Sequence, residues 1–322
     1  MNNLYASVDL GGTNISTALA DGEGRIVADA KLPTQSHEGP QAVLDRIAGM
    51  INVLAAKTGT RPAALGMGLP GLVDLANGVS KFLPNLPTHW RDVPVRATLE
   101  PKIGCPVHLL NDARAATLGE LVFGSGRDAG TMILFTLGTG IGGGVVVDRQ
   151  LRLGPLGAAG ELGHQTILPD GPPCGCGSRG CLETLISGPA ITAEGVRLLL
   201  SGNAPKLHEI CGGNIAKVSP ATMGAAARAG DANVATAIQR AGGWLGIGPA
   251  NLVTALHPDL VVLAGGVAEL GDLLIVPMRE TIQHRVRMFP TEDIRIERSV
   301  LGDKAGLMGG IALAQCAGVK PG

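Results

Sequence analysis

The sequence has few aromatic residues and no excess of charge of either sign. Aromatic side chains make up 2% of the 322 residues, so stacking platforms for nucleic-acid bases are not expected. The formal net charge is -1, from 26 basic and 27 acidic residues. Proteins that bind a phosphate backbone carry clustered Lys and Arg instead. Both features argue against a nucleic-acid partner.

Long apolar runs are also missing. The uncharged stretch 131–147 contains five glycines and is shorter than the ~20 residues of a membrane-spanning helix. The first ten residues lack a basic region followed by an apolar segment, which argues against a signal peptide. We expect a cytoplasmic protein without membrane contact.

Alternating strand and helix patterns predict an α/β protein. The length suits two domains. A meander with turns at glycine-rich segments occupies 5–30, and a helical period runs from Pro40 to Lys57. We expect a smaller N-terminal domain over 1–112, joined by a C-terminal helix at about 305–322, and a larger domain over 113–304.

Two strand–turn–strand segments are rich in glycine. The first follows Asp9, and the second repeats its layout near residue 138 without the acid. Backbone N–H groups in such turns bind phosphate oxygens, glycine permits close approach, and an aspartate at a strand end can hold Mg²⁺. Two ordinary hairpins are the alternative. A third strand ends in Gly265–Gly266, which favours the phosphate interpretation, and no P-loop lysine follows either turn.

Asn111–Asp112 ends a predicted strand and precedes a predicted helix. A carboxylate in this position can accept the proton of a hydroxyl that attacks a phosphate. Asn or Asp in the same position also caps a helix, and local sequence alone favours the cap. Both interpretations stay open at this point.

His164, Cys174, Cys176 and Cys181 have the composition of a tetrahedral zinc site. Four protein ligands leave no open position, so the zinc is expected to be structural. Gly175, Gly177 and Gly180 are expected to let the backbone wrap around the ion. A reactive thiol pair and a strained Cys174–Cys176 disulfide are the alternatives.

Two glutamates stand beside this cluster. Glu161 precedes His164 by three residues and Glu183 follows Cys181 by two. Carboxylates accept hydrogen bonds from vicinal hydroxyls, so together with Asp112 they suit a polyhydroxylated ligand. Solvated glutamates on a metal loop are the alternative.

The ordered motifs resemble the kinase branch of the ROK family over nearly the whole chain. They are Asp9-Leu-Gly-Gly-Thr-Asn14, Asn111-Asp112, Leu137-Gly-Thr-Gly-Ile-Gly142, Gly160-Glu-Leu-Gly-His164 and Cys174-Gly-Cys-Gly-Ser-Arg-Gly-Cys-Leu-Glu183. The resemblance implies an actin-like ATPase (ribonuclease H-like) fold of two domains with a cleft, ATP and Mg²⁺ as well as structural Zn²⁺, and a homodimer.

The resemblance also implies roles for individual residues. It implies that Asp112 is the catalytic base. The implied sugar contacts are Asn85, Asn111, Asp112, Glu161, His164 and Glu183. The implied contacts to the nucleotide and Mg²⁺ are Asp9, Gly11, Gly12, Thr13, Asn14, Gly138, Thr139, Gly265 and Gly266. Asn14 departs from the family pattern, in which lysine is frequent.

Segments 84–86 and 90–94 resemble the glucokinase members of the family, which implies phosphorylation of glucose at its 6-hydroxyl. Kinases for N-acetylmannosamine or N-acetylglucosamine share the zinc motif and are the alternative. ROK repressors carry a DNA-binding segment ahead of the first glycine motif, for which Asp9 leaves no room. A non-catalytic sugar sensor is the remaining possibility. The donor could be ATP or polyphosphate.

Overall fold

The computed structural model describes residues 3–83, 88 and 90–318. They form two compact units. The first unit comprises Met1–Ala129, Gly144–Gly160 and Ser299–Gly322, and the second comprises Gly130–Gly143 and Glu161–Arg298.

Strands and helices alternate along the chain, as predicted. The strands are β1 (Tyr5–Leu10), β2 (Asn14–Ala20), β3 (Ile26–Pro33), β4 (Leu65–Leu69), β5 (Leu72–Asp74), β6 (Val79–Leu83), β7 (Trp90–Val93), β8 (Val107–Asn111), β9 (Met132–Leu137), β10 (Ile141–Val147), β11 (Gln150–Arg152), β12 (Leu260–Ala264) and β13 (Arg295–Arg298). The α-helices are α1 (Pro40–Thr58), α2 (Val95–Ile103), α3 (Asp112–Phe123), α4 (Leu182–Ile186), α5 (Gly188–Leu200), α6 (Pro205–Cys211), α7 (Pro220–Arg228), α8 (Ala232–Leu256), α9 (Asp272–Arg285) and α10 (Ala305–Gln315).

The main sheet of the first unit has the strand order β3-β2-β1-β4-β8. The first three strands form the predicted antiparallel meander, and β1, β4 and β8 run parallel. The carboxyl ends of these three parallel strands therefore share one edge of the sheet. In register, Asp9 pairs with Gly68, and Gly68 pairs with Leu110.

Helices cover this sheet through close backbone approach as well as apolar packing. Helix α1 buries Val43, Ile47 and Leu54 in the core. Helix α10 crosses β4 so closely that a β-carbon added at Gly66 would lie 2.0 Å from the carbonyl oxygen of Gly310. Only glycine fits a contact of this kind.

The first unit also contains a small antiparallel sheet in the order β5-β6-β7. No sequence pattern predicted this sheet. Its strands are short, and the longest has five residues. Trp90 lies in this sheet and is 1% exposed. Strands this short carry too few alternating positions to show a period of two.

A second five-stranded sheet has the order β11-β10-β9-β12-β13, of which β9, β12 and β13 lie in the second unit. Strands β9, β12 and β13 are parallel, with Ala264 opposite Thr136. Helices α4 to α9 belong to this unit, and α8 packs along α9 through small residues. A β-carbon at Gly246 would lie 2.6 Å from the carbonyl oxygen of Met278.

The division into units falls elsewhere than the boundary predicted after Asp112. Helix α3 stays in the first unit, which extends to Ala129, and segment 144–160 joins it. The reason is packing: a β-carbon at Gly119 would lie 2.5 Å from the carbonyl oxygen of Ala305, so α3 and α10 are in tight contact. The C-terminal helix belongs with the N-terminal residues, in line with the sequence-based expectation.

Among the described residues, none of the helices combines the length and the apolar character that crossing a bilayer requires.

Candidate active site and metal centre

The first glycine turn joins β1 to β2 at the shared carboxyl edge of the first sheet. The N–H of Gly11 donates to the carbonyl of Asn14 at 2.9 Å. Thr34, at the end of β3, fastens this turn twice: its N–H donates to the carbonyl of Thr13 at 2.8 Å and its Oγ1 to that of Gly11 at 2.7 Å. Gly12 and Thr13 stay exposed and present backbone to solvent. No local sequence pattern pointed to Thr34.

Asp9 lies beside this turn. A β-carbon added at Gly306, in the first turn of α10, would lie 2.8 Å from Asp9 Oδ2, so the backbone of α10 passes close to the Asp9 carboxylate. Burial raises the pKa of the Asp9 carboxyl above its ordinary value, and the positive charge of Lys31 acts in the opposite direction. A buried carboxylate of this kind gains most from a bound cation.

Asn111 and Asp112 occupy the junction of β8 and α3. Asn111 is the helix cap: its Oδ1 accepts from the N–H of Ala113 at 3.0 Å and from the N–H of Arg114 at 3.3 Å. Asp112 is the first helical residue, and its Oδ1 also accepts from Ala113 N–H, at 2.8 Å. The capping interpretation is therefore confirmed for Asn111, and the catalytic interpretation of Asp112 stays a prediction.

Asp9 and Asp112 approach each other across Gly68. A β-carbon added at Gly68 would lie 3.9 Å from Asp9 Oδ1 and 3.6 Å from the Asp112 Cα. The two acids therefore share one edge of one sheet, as their positions at strand ends predict.

Asn111, an expected sugar contact, has its oxygen fully used within the protein. Arg114 Nη1 donates to Asn111 Oδ1 at 2.9 Å, and Asn111 Nδ2 donates to the carbonyl of Gly71 at 3.1 Å. The side chain is 8% exposed. Its sugar-binding role stays a prediction, with one amide hydrogen to serve it.

The second glycine turn joins β9 to β10 in the second unit. The N–H of Gly138 donates to the carbonyl of Gly140 at 3.0 Å, and Gly188 N–H donates to the carbonyl of Gly138 at 2.8 Å. Thr139 lies at the exposed tip of this turn.

Gly265–Gly266 follow β12, the strand next to β9, so they reach the same edge as the second turn. Gly265 has φ 88°, and a β-carbon there would lie 2.5 Å from the Leu137 carbonyl oxygen. The N–H of Val267 donates to that same oxygen at 3.0 Å. The two glycine segments that the sequence singled out in this half of the chain are thus brought together.

Glu183, in the first turn of α4, contacts the second glycine turn directly. Its Oε2 accepts from the N–H of Ile141 at 2.8 Å, and a β-carbon at Gly140 would lie 2.6 Å from the same oxygen. This contact was not foreseen. It ties the helix that follows the cysteine cluster to the turn expected to bind phosphate.

The three cysteines and His164 form one cluster. One ligand atom from each of His164, Cys174, Cys176 and Cys181 lies within 4.8 Å of all the others. Cys174 Sγ is 3.6 Å from His164 Nδ1, and Cys176 Sγ is 3.7 Å from Cys181 Sγ. Tetrahedral zinc with bonds of ~2.3 Å to sulfur requires such separations, whereas a disulfide requires ~2.05 Å. All six cysteines of the chain are free.

The electrostatics of the cluster also fit a bound cation. Burial and the neighbouring Cys176 thiol raise the pKa of Cys181 to about 12. A backbone hydrogen bond from Ser178 and the neighbouring thiols lower the pKa of Cys176. Three crowded thiols cannot all ionise without an opposing charge, and Zn²⁺ supplies that charge. The donor set therefore fits zinc.

Glycine shapes the loop at two of the three expected positions. Gly177 has φ 93° and Gly180 has φ 62°, and a β-carbon at Gly180 would lie 1.5 Å from the Leu168 carbonyl oxygen. The prediction was wrong for Gly175, which has open space around it and no left-handed backbone conformation.

Glu161 is the residue that precedes the 3-10 turn carrying His164. His164 Nε2 lies 3.9 Å from Glu161 Oε2, while Nδ1 faces the sulfur of Cys174. A carboxylate on the far ring nitrogen is the usual second partner of a metal-binding histidine.

The predicted site residues fall into two groups. Within the first unit the structure gathers Asp9, the first glycine turn, Asn111 and Asp112, and within the second it gathers Glu161, His164, Glu183, the cysteines, the second turn and Gly265–Gly266. Asn85 lies outside the described residues.

Comparison with known proteins adds an independent finding. The model of the ROK family matches residues 5–317. A glucokinase of Streptomyces coelicolor is 34% identical over 317 residues, covering 97% of this chain and 98% of that enzyme. A xylose repressor of Caldicellulosiruptor bescii is 30% identical over 95% of this chain and 76% of the repressor. A ROK family glucokinase from Streptomyces griseus, solved with glucose and AMPPNP, superposes with TM-score 0.84 at 33% identity over 98% of this chain and 100% of that one.

Proposed function

We propose, from the premise that this chain belongs to the ROK family and has its actin-like ATPase fold, that it is a kinase transferring the γ-phosphoryl group of ATP to the 6-hydroxyl of glucose. Glucokinases are about a third identical to it over nearly its full length. A related enzyme binds glucose together with an ATP analogue.

The observation that carries the proposal is the placement of Asp112. It begins α3 at the carboxyl edge of the first sheet, on the same edge as Asp9, and Asn111 supplies the helix cap beside it. Asp112 accepts the proton of the sugar hydroxyl and aligns its oxygen with the γ-phosphate. Such transfers depend mainly on positioning, which a residue held at a capped helix start provides.

The glycine turns hold the phosphates in this proposal. Exposed backbone at Gly12 and Thr13 donates to phosphate oxygens, as do Gly138 and Thr139 in the second turn. Gly265–Gly266, beside the second turn, bind the adenosine part. Mg²⁺ held at Asp9 neutralises charge on the phosphates when bound.

Glu161, His164 and Glu183 bind the sugar hydroxyls in this proposal, together with Asn85 and Asn111. Glu161 is exposed, with its Oε2 3.9 Å from His164 Nε2, whereas Glu183 is held by the protein, because one of its oxygens accepts from the N–H of Ile141. A carboxylate held in this way has a fixed orientation, which favours discrimination between sugars.

The zinc ligands are His164, Cys174, Cys176 and Cys181, and their closed set makes the ion structural. We further propose a cytoplasmic location, since a reducing compartment keeps such thiols available, and a homodimer as the assembly. Light scattering coupled to size-exclusion chromatography tests the dimer, with a single-chain mass as the contradicting result.

A coupled ADP-release assay tests the function. We expect glucose to be phosphorylated with the highest kcat/KM among glucose, mannose, fructose, N-acetylglucosamine and N-acetylmannosamine, with ATP preferred over polyphosphate. An N-acetyl sugar in first place would support the alternative substrate. Sugar binding without ADP release from any of the five would contradict the kinase assignment and identify a sensor.

A further inference from the structure

One line of side chains on α3 is polar and buried. Asn111, Arg114, Thr117 and Glu120 succeed each other at three-residue intervals, so each neighbours the next along the helix surface. None is more than 8% exposed. We call these four residues the α3 polar stripe. Burying such groups is costly unless they are hydrogen-bonded, so their partners show what the stripe holds.

The chain leaves or re-enters the first unit at four places. These junctions are Ala129/Gly130, Gly143/Gly144, Gly160/Glu161 and Arg298/Ser299. The stripe contacts first-unit residues near each of these junctions.

Glu120 holds the segments beside the first and last junctions. Its Oε2 accepts from the N–H of Ser125 at 2.8 Å, and its Oε1 accepts from the N–H of Leu301 at 3.2 Å and from the Ser299 hydroxyl. The Ser299 oxygen in turn accepts from the N–H of Gly302 at 2.8 Å. One buried carboxylate thus fixes two segments that lie far apart in the sequence.

Arg114 holds the segment before the third junction. Its Nε and Nη2 donate to the carbonyls of Ala159 and Ala158, each at 2.9 Å. Its Nη1 donates to Asn111 Oδ1 at 2.9 Å, so the same guanidinium contacts the residue next to Asp112. The planar fork of arginine makes this three-way contact possible.

Thr117 faces the second junction. A β-carbon added at Gly144, the first residue after that junction, would lie 2.2 Å from Thr117 Oγ1. Thr117 Oγ1 donates back to the carbonyl of Ala113 at 2.8 Å. All four junction segments therefore meet the stripe on a helix whose first residue is Asp112.

We propose that the α3 polar stripe is a positioning device that fixes, relative to Asp112, the chain segments by which the first unit connects to the rest of the protein. Arg114 and Glu120 are its positioning residues. The kinetic consequence rests on the proposed function, whereas the anchoring itself does not. Directional hydrogen bonds suit this role, because a buried polar network whose members are paired holds the groups that it joins in a fixed arrangement.

Amide hydrogen exchange tests the anchoring without reference to activity. In Glu120→Gln one side-chain oxygen becomes a donor, so the amide of Ser125 or Leu301 loses its acceptor. We expect exchange there to accelerate about tenfold or more, since a hydrogen bond to a charged group contributes about 1.5–3 kcal/mol. Exchange in β1 and α1 is expected to stay unchanged. Unchanged exchange at residues 125 and 301, or equal acceleration throughout the unit, overturns the proposal.

Kinetics test the positioning. Arg114→Lys and Glu120→Gln should lower kcat about tenfold to a hundredfold, because small displacements of reacting groups carry costs of that size. Glucose affinity, measured by calorimetry without nucleotide, should change less than twofold. If the planar fork of the guanidinium positions the segments, the kcat of Arg114→Met should be no higher than that of Arg114→Lys.

The control is Leu54→Ala, which opens a cavity in the core around α1, away from the stripe. Leu54→Ala should lower the melting temperature at least as much as the stripe variants do, while leaving kcat per folded molecule unchanged. Equal kcat losses in control and stripe variants would reduce the stripe to a structural role.

If Glu120→Gln does not fold, Ser299→Ala removes the same contact from the other side. A wild-type protein that phosphorylates no sugar would contradict the proposed function. The hydrogen-exchange experiment would still test the anchoring.

Discussion

The two glycine turns share a backbone design but differ in what surrounds them. In both, a glycine N–H closes the turn onto a nearby carbonyl, Gly11 to Asn14 at 2.9 Å and Gly138 to Gly140 at 3.0 Å. The first turn is fastened by Thr34 and stands beside Asp9. The second is fastened by Gly188 and Glu183, residues of the segment that follows the cysteine cluster.

The surroundings of the first turn suit a part in the reaction, whereas those of the second turn suit structural support. The first turn has acids nearby whose carboxylates suit a metal ion or a substrate proton. The second has a carboxylate bound to its backbone, so its geometry depends on the metal loop. The same local sequence pattern therefore acquires different roles from its neighbours. Four experiments test this contrast, in order of decreasing expected effect.

Loss of the metal cluster should damage the second turn and spare the first. Cys181→Ser removes a buried ligand next to α4, so we expect loss of zinc and a large fall in the stability of the second unit. Structural zinc in small domains contributes about 10–16 kcal/mol of binding free energy. Metal analysis and amide exchange at residues 138–142 and 10–14 check this. Cys316→Ser, at an exposed cysteine, is the control. Equal exchange in both turns would contradict the contrast.

Loss of Asp112 should remove chemistry and leave both turns intact. Asp112→Asn keeps the helix start but removes the proton acceptor, so kcat should fall roughly 10²–10⁴-fold with glucose affinity largely kept. Steady-state kinetics and calorimetry measure the two quantities. Asp272→Asn, at the first residue of α9, is the matched control, since it removes an equivalent charge at a helix start. Turnover near that of the wild type would exclude Asp112 as the base.

The burial of Asp9 should make the stability of the protein depend on pH. Because its pKa is raised, the native state binds more protons than the unfolded state between the ordinary aspartate pKa and the raised one. Its contribution to stability is therefore present at low pH and lost as pH rises through that window. Asp9→Asn should raise the melting temperature at neutral pH without Mg²⁺, and the gain should vanish near pH 3.

The same substitution should raise the Mg²⁺ concentration for half-maximal activity about tenfold or more, the equivalent of one charge-assisted contact. In the wild type, activity should fall on acidification at a higher pH than an exposed aspartate would produce. Asp29→Asn, an exposed residue of β3, is the control for both readouts. A lower melting temperature for Asp9→Asn at neutral pH would contradict the assigned direction.

Thr34→Val should produce the smallest effect, confined to the first turn. It removes the hydrogen bond from Oγ1 to the Gly11 carbonyl while keeping shape, at a cost of about 1 kcal/mol. We expect the KM for ATP to rise severalfold with kcat little changed. Thr58→Val removes a comparable hydroxyl-to-carbonyl bond at the end of α1 and serves as control. Equal KM values in the two variants would remove Thr34 from the phosphate site.

Much of the fold was predictable because its signals are local. The meander predicted over 5–30 and the helix predicted from Pro40 to Lys57 were confirmed to within a few residues, since apolar period and Gly/Pro punctuation bound them. The sheet β5-β6-β7 escaped prediction, because three-to-five-residue strands carry no readable period. The unit boundary depended on the contact of α3 with α10, which no local pattern encodes.

The groups that carry the proposed chemistry can be read from short stretches of sequence: three thiols and an imidazole within eighteen residues, acids at strand ends and glycines in the turns. Spacing along the chain is sufficient for such features, because each is built from neighbouring residues. Only the tertiary structure decided the supports: Thr34 on the first turn, Glu183 on the second, and Arg114 and Glu120 on the junction segments. Their partners lie up to 181 residues away, and the acceptor of a long-range hydrogen bond is chosen by packing rather than by sequence order.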